Sequence, residues 1–305
     1  MIAMRVLGLV GLLVVGVGCR SEHKPPAPAP EPAPTTAAAP SDAEAAAPAD
    51  APRSGPADNA VEAVGDAHID SAAAGAIARA ASWLAAFPTD QLRFDAAIGL
   101  AAIRAHVESE ALRTAYARAR EVADRDHDNP MRRAYDETVR VAKTVSAAWP
   151  VPTPGDKRVN VNRVIVEALH CKENGLRPET LAYITGPMRD DGGYHTTHAM
   201  WALAIARDRG CLPDFAKRAA PLVAELRAHQ PAAPDRTVPA IDLFAERLLM
   251  LELAGEHGAD IDAWRQRLIE TQAEDGGFGV PAEREDPYFR CHATLAATWA
   301  LAVSR

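Results

Sequence analysis

Four eight-residue segments of this chain fall into one register, and that repeat limits the fold more than any other feature. Asn162-Arg-Val-Ile-Val-Glu-Ala-Leu aligns with His198-Ala-Met-Trp-Ala-Leu-Ala-Ile, 36 residues later. Asp242-Leu-Phe-Ala-Glu-Arg-Leu-Leu follows after 44 more, and His292-Ala-Thr-Leu-Ala-Ala-Thr-Trp after a further 50. Asp95-Ala-Ala-Ile-Gly-Leu-Ala-Ala fits the same frame more loosely. Periods of this size mark stacked supersecondary units that share a core. Each unit reads as an apolar helix, a turn and a more charged helix, such as Ala216 to Arg227 or Ala263 to Gln272. That alternation implies an inner layer of helices wrapped by an outer one.

Helical signals dominate the rest of the chain. Apolar residues recur at three and four, Ala is abundant, and runs of β-branched residues are short. The pattern predicts an all-α chain with helices over about 68–86, 94–107, 109–124, 130–148, 160–172, 177–187, 195–209, 213–228, 239–255, 259–273 and 288–303. Breakers separate them, among them Pro88-Thr89-Asp90, Asn129-Pro130, Gly192-Gly193, Pro239 and Gly276-Gly277. Short turns between helices imply antiparallel hairpins. The five tryptophans, Trp83, Trp149, Trp201, Trp264 and Trp299, are spaced as packing residues.

Gln272-Ala-Glu-Asp-Gly-Gly-Phe-Gly279 resembles the Gln-x-x-Asp-Gly-Gly-aromatic motif of squalene–hopene cyclases and protein prenyltransferase β subunits. Asp191-Gly192-Gly193-Tyr194 is a second, shortened copy. The resemblance covers roughly Asn160 to Arg305, and the repeat extends it weakly to Asp95. It implies an α/α toroid of about five or six helical hairpins, in which this motif links an outer helix to the next inner one and is structural. It does not imply an activity, because toroids of this kind also serve as non-enzymatic domains.

Within such a toroid the inner stripes converge. The repeat position occupied by Asp95, Asn162, His198, Asp242 and His292 is polar in every copy and leads a mostly small or apolar stripe. Five polar side chains would then ring one mouth of the central cavity. Helix capping and the macrodipole account for Asp and Asn at helix starts without any ligand. They account less well for His198 and His292, because the dipole there disfavours the protonated imidazole. His195 and His198 are three apart, a usable spacing for two metal ligands, and Asp242, Cys291 and His292 supply the rest of a zinc set. Tyr194-His195-Thr196 resembles the Tyr-His-Thr segment of prenyltransferase β subunits, whose His binds zinc. The family's Asp-x-Cys would require Asp where this chain has Phe289. Cyclase chemistry is disfavoured, since Phe, Trp and Tyr make up only 5% of the chain and no Asp-rich segment opens an inner helix. Asp242 with Glu246 forms a carboxylate pair on one helical face, which reads equally as glycan chemistry or a solvated turn.

The N-terminal region has a different character. One positive charge at Arg5, the apolar run Val6 to Val17 and the small residues before Cys19 form a signal peptide over 1–18, too short to span a membrane as a helix. Val15-Gly16-Val17-Gly18-Cys19 resembles the lipobox of bacterial lipoproteins, although Gly16 stands where a branched apolar residue is usual. The resemblance implies cleavage before Cys19, a lipid on its thiol, and a place in the cell envelope, anchored at the outer membrane and facing the periplasm. Residues 19–60, rich in Pro and Ala, carry no aromatic or large aliphatic residue before Val61 and read as a disordered tether. The helical domain is expected over 61–305. An oxidising compartment permits a disulfide among the three remaining cysteines; Cys171 with Cys211 is the pair to test, leaving Cys291 free.

A net charge of −8 without a basic stripe argues against nucleic acid. Three functions stay open: a membrane-tethered toroid binding a ligand or protein partner in its cavity, a zinc-dependent envelope enzyme, and a purely structural repeat.

Overall fold

The computed structural model describes residues 58–138 and 161–303, with side-chain environments from residue 71. The signal peptide, Cys19, the tether up to residue 57 and Trp149 lie outside the described residues. Among the described residues the regular structure is helical, with two isolated bridges and no strand. Among the described residues eleven α-helices follow one another: α1 Asp58–Ala86, α2 Phe94–Arg104, α3 Glu110–Ala123, α4 Val161–Leu169, α5 Cys171–Asn174, α6 Pro178–Thr185, α7 Tyr194–Asp208, α8 Phe215–His229, α9 Val238–Leu253, α10 Ala259–Glu270 and α11 Pro287–Val303.

Three predicted elements need correction. α1 starts ten residues before the expected 68, so positions 58–60 belong to the helix rather than the tether. Its Ala-rich composition carries the helix through Gly65. The helix expected over 130–148 opens instead as a 3-10 turn, Pro130–Ala134, set by the Asn129 side chain accepting from Met131 N at 3.0 Å. The Asp136 carboxylate then takes Thr138 N and the Thr138 hydroxyl and turns the chain, and 139–148 lies outside the described residues. The helix expected over 160–172 breaks at His170, whose backbone leaves helical geometry before α5.

α2, α4, α7, α9 and α11 are the apolar helices and hold most of the buried core. They lie side by side in the order α2, α11, α9, α7, α4. The remaining helices pack against this row: α3 on α2, α1 on α11, α10 on α9, and α8 and α6 on α7. α3 shows why. Leu112, Ala115, Ala119 and Ala123 form one buried stripe, the remaining face is largely charged, and Ser109 caps the start by accepting from Leu112 N.

The glycine motif fastens α10, α11 and α1 to one another. The Gln272 amide donates to Ala76 O of α1 and Gly276 O, and its carbonyl oxygen accepts from Arg79. Asp275 receives both Arg290 nitrogens of α11, at 2.7 and 2.8 Å, and the Trp83 indole N–H of α1 at 3.3 Å. Gly276 adopts φ +93°, and a Cβ there would stand 2.6 Å from Arg79 O. The shortened copy works differently. Asp190 rather than Asp191 takes the first amides of α7, from His195 and Thr196, while Gly192 N donates to Glu225 of α8 at 2.8 Å.

One ion pair between layers yields a pH prediction. Glu252 of α9 is 7% exposed and accepts from Arg265 of α10 at 2.9 Å, but its second oxygen is buried without a partner. Burial outweighs Arg265 and lifts the carboxyl to about 7. A carboxyl that holds its proton more tightly when folded stabilises most at low pH. That contribution falls between the unfolded carboxylate range and pH 7, by up to roughly 3 kcal/mol. Glu252→Gln will flatten the slope of unfolding free energy against pH over that window in urea titrations. An unchanged slope would place the titration elsewhere.

Candidate functional site

A cavity of about 380 Å³ opens where the apolar helices begin. Asp95 and Phe94 reach it from α2, Asn162 from α4, Thr197 and His198 from α7, Glu246 from α9 and His292 from α11. Deeper in, Ile98, Trp201, Leu249, Met250, Leu295 and Trp299 make an apolar floor. Trp201 and Trp299 meet edge to face at 5.9 Å, and with Ile98 they also border a second cavity of about 370 Å³. The two tryptophans pack against the core, as their spacing suggested, and being half-buried they also stand as partitions between the cavities.

Asp95, Asn162, His198 and His292 of the expected polar ring line this cavity; Asp242 does not. It sits behind His292, 6% exposed, with Oδ1 2.8 Å from His292 Nδ1 and Oδ2 accepting from the Tyr194 hydroxyl at 2.9 Å. Asp242 lies in the second turn of α9, after a start at Thr237-Val238-Pro239, so its side chain reaches across to α11 rather than capping its own helix. Asp95 caps nothing either. Its Oδ1 accepts from the Tyr288 hydroxyl of α11, and its Oδ2 stands 3.9 Å from His292 Nε2.

Glu246, read from the sequence only as the partner of Asp242 in a carboxylate pair, belongs to the cavity wall itself. It is 5% exposed, its Oε2 accepts from the Thr197 hydroxyl at 2.5 Å, and its Oε1 lies 4.0 Å from His292 Nε2. A signal for it existed. In the repeat frame Glu246 stands where the other copies carry Gly99, Val166, Ala202 and Ala296, so one acid interrupts an otherwise small, apolar position.

The expected zinc set does not assemble as a whole. His195 is half exposed, and its ring faces Asp190 at 3.3 Å instead of joining His198. The Asp190 carboxylate also holds the His195 amide, which fixes that side of the turn away from the cavity. Cys291 is fully buried and does not line the cavity. Burial, with Asp95 nearby, pushes its thiol far up, which makes it a poor thiolate donor. What does come together is Asp242, Glu246 and His292, each offering a ligand atom within 4.8 Å of the others. Cys171 and Cys211 are joined by a disulfide that ties α5 to the turn after α7.

The electrostatics follow from this crowding. Burial opposes a charge on His292, but Asp242, then Glu246 and Asp95, outweigh it and raise the imidazole to about 10. Burial raises the Glu246 carboxyl, and Asp242 adds to the effect, while His198, His292 and the Thr197 hydroxyl pull the other way. His198 Nδ1 lies 2.7 Å from Tyr194 O, so its Nδ1–H donates there and Nε2 is left as the basic nitrogen. At the rim, Arg93 stacks on the Tyr288 ring at 4.5 Å and pairs with Asp286. Asp95 and Glu246 on the wall, with Asp242 one layer back, surround the His292 that they hold protonated, while Arg93 stands at the rim, over an apolar floor.

No family model matches the chain, and no curated protein or solved structure is similar to it at a significant level.

Proposed function

We propose that residues 58–305 form an α/α toroid of the kind found in terpenoid cyclases and prenyltransferase β subunits, used here for binding. The order α2, α11, α9, α7, α4, with the other helices packed against that row, supports that reading, as do the places of the two glycine motifs. The domain is carried on a lipid anchor at Cys19 and a Pro/Ala-rich tether, and so works at the outer membrane, facing the periplasm. Its cavity takes a small ligand with a cationic head and an apolar body.

One observation carries the functional reading. Five helices, widely separated in sequence, each bring a polar side chain to the same end of one cavity, above a floor of tryptophan and aliphatic residues. A packed structural repeat has no need to keep Glu246 and His292 facing a cavity of that size, since buried charges cost free energy unless they are matched. The Asp95 and Glu246 carboxylates on the wall offer partners to a cationic head, and the floor favours an apolar body.

A dansyl-labelled alkylammonium probe added to the full chain tests this, read by energy transfer from Trp201 and Trp299. Saturable transfer is expected, weakened at least tenfold by Ala296→Phe, which fills the cavity from α11. Transfer unaffected by Ala296→Phe in a folded variant would remove the cavity from the account.

A further inference from the structure

The second cavity, of about 370 Å³, lies behind the tryptophans that floor the first. Trp201, Trp299 and Ile98 are walls of both. The same helices run past both cavities. On α7, Thr197 and His198 face the first, Trp201 faces both, and Ile205 and Arg209 face the second. Those positions recur every three or four residues, as a single helical face requires. α2 repeats the pattern with Asp95, Ile98 and Ala102, and α9 repeats it with Glu246, Met250 and Leu253. From Thr197 to Arg209 the chain rises about 18 Å, at about 1.5 Å per residue. The two cavities therefore lie end to end along one axis, with a pair of indoles between them.

Burial marks the inner walls as surface. Trp201, Ile205, Leu253 and Trp299 stand beside fully buried positions such as Ala202, Ala206, Leu251 and Ala300, yet all four stay half-buried. Their uncovered apolar area faces the cavities that they line. Apolar area left against water is unfavourable, and a packed repeat would fill such a gap. Here the second wall carries Ala102, Ala134 and Ala204 instead of larger side chains. Charge is confined to the far end, at Glu137, Lys172, Asp208 and Arg209, where Arg209 pairs with Glu137 at 2.7 Å. The Cys171–Cys211 disulfide fastens that end, since Leu169 and Lys172 lie on either side of one cysteine and Asp208 and Arg209 precede the other. Trp201 and Trp299 meet only edge to face, and each has open space on both sides to turn into.

We propose that the two cavities form one binding passage for a long-chain amphiphile, whose unbranched alkyl body runs from the first cavity between Trp201 and Trp299 into the second. This rests on the reading of the first cavity as a binding site and specifies the body of its ligand. An unbranched chain has to part a single contact between ring edges, whereas a branched or fused-ring body would also have to displace Ile98. Past the tryptophans, each methylene that leaves water is worth roughly fourfold in affinity. The charged far end sets the limit of the chain, because methylenes reaching it gain nothing.

The test is calorimetric titration of hexylammonium and dodecylammonium into the full chain, each kept below its micelle-forming concentration. About one dodecylammonium per chain is expected, bound at least a hundredfold more tightly than hexylammonium. Ala204→Phe and Ala102→Phe fill the second cavity from α7 and α2. Each should weaken dodecylammonium at least tenfold and leave hexylammonium within about twofold of wild type. Ala296→Phe, in the first cavity, should weaken both ligands. Near-ultraviolet circular dichroism adds a readout independent of affinity. Dodecylammonium should alter the tryptophan bands and hexylammonium should not, because only the longer chain parts the indoles. Far-ultraviolet circular dichroism identifies a variant that fails to fold, and the two second-cavity variants, on different helices, stand in for each other. Dodecylammonium bound no more tightly than hexylammonium, or bound as well by the folded second-cavity variants as by wild type, overturns the proposal. Hexylammonium bound in the wild type and lost in Ala296→Phe, with no gain from the longer chain, keeps the first cavity and ends the passage. Binding of neither ligand ends both.

Discussion

Gly276→Ala will lower the thermal unfolding midpoint of the domain by about 10 °C, near 3 kcal/mol for a domain of this size. Two effects add. At φ +93° an alanine is strained wherever it stands, at a cost of about 1–2 kcal/mol. The new methyl would also meet Arg79 O at 2.6 Å. That atom belongs to the backbone of α1 and cannot swing aside as a side-chain tip would, so α1 must shift bodily against α11, which adds a packing cost of about 1–3 kcal/mol. Gly210→Ala is the matched control. Its φ of +73° is similar, but nothing lies within 4 Å of the added Cβ. Differential scanning calorimetry of the two variants separates backbone strain from collision. Equal losses would mean that the motif does not clamp α1 at all.

Removing the disulfide is expected to have an effect of similar or greater size. Cys171 and Cys211 are 40 residues apart in sequence, and closing a loop of that length in the unfolded chain corresponds to roughly 4 kcal/mol. The bridge also spans a stretch containing α6 and α7 and ties down the turn after α7, at the end opposite Thr197 and His198. The Cys171→Ser/Cys211→Ser double variant should unfold at markedly lower urea, and reductant should bring the wild-type chain to the same midpoint. Reductant should then have no further effect on the variant. A wild-type chain equally stable with and without reductant would count against the bridge as a stabilising element.

Most of the helix pattern could be read from the chain, because apolar residues at three and four alternate with Gly and Pro at nearly every junction. Where reading failed, local side-chain chemistry had overridden periodicity. Asn129 and Asp136 bend 130–138 by accepting backbone amides, a competition that periodicity does not register. The site was legible in part. The repeat frame found Asp95, Asn162, His198 and His292, since one structural position recurs on successive helices. It placed Asp242 in the same ring, yet that carboxylate acts one layer back, through His292. The side chain's direction depends on the distance between α9 and α11, which no single helix encodes. Nor could sequence separate His195 from His198, because the deciding partner, Asp190, lies in the preceding turn. Glu246 was visible as an acid in an apolar column, a contrast that carries more information than the residue type alone.

The clamp on α1 has a kinetic side. Its hydrogen bonds join residues 193 and 196 positions apart, Arg79 with Gln272 and Gln272 with Ala76. Such contacts form late, because a loop of that length must close before they return any free energy. The hairpins between can assemble as neighbours while the chain is still being delivered, N-terminus first. α1 does so only in part: it can pack on α3 early, but its face toward the motif waits for the last turn. For that face the order of synthesis and the order of completion run in opposite directions, and a chain cut short before Gln272 would leave it uncovered to any protease that surveys unfinished proteins.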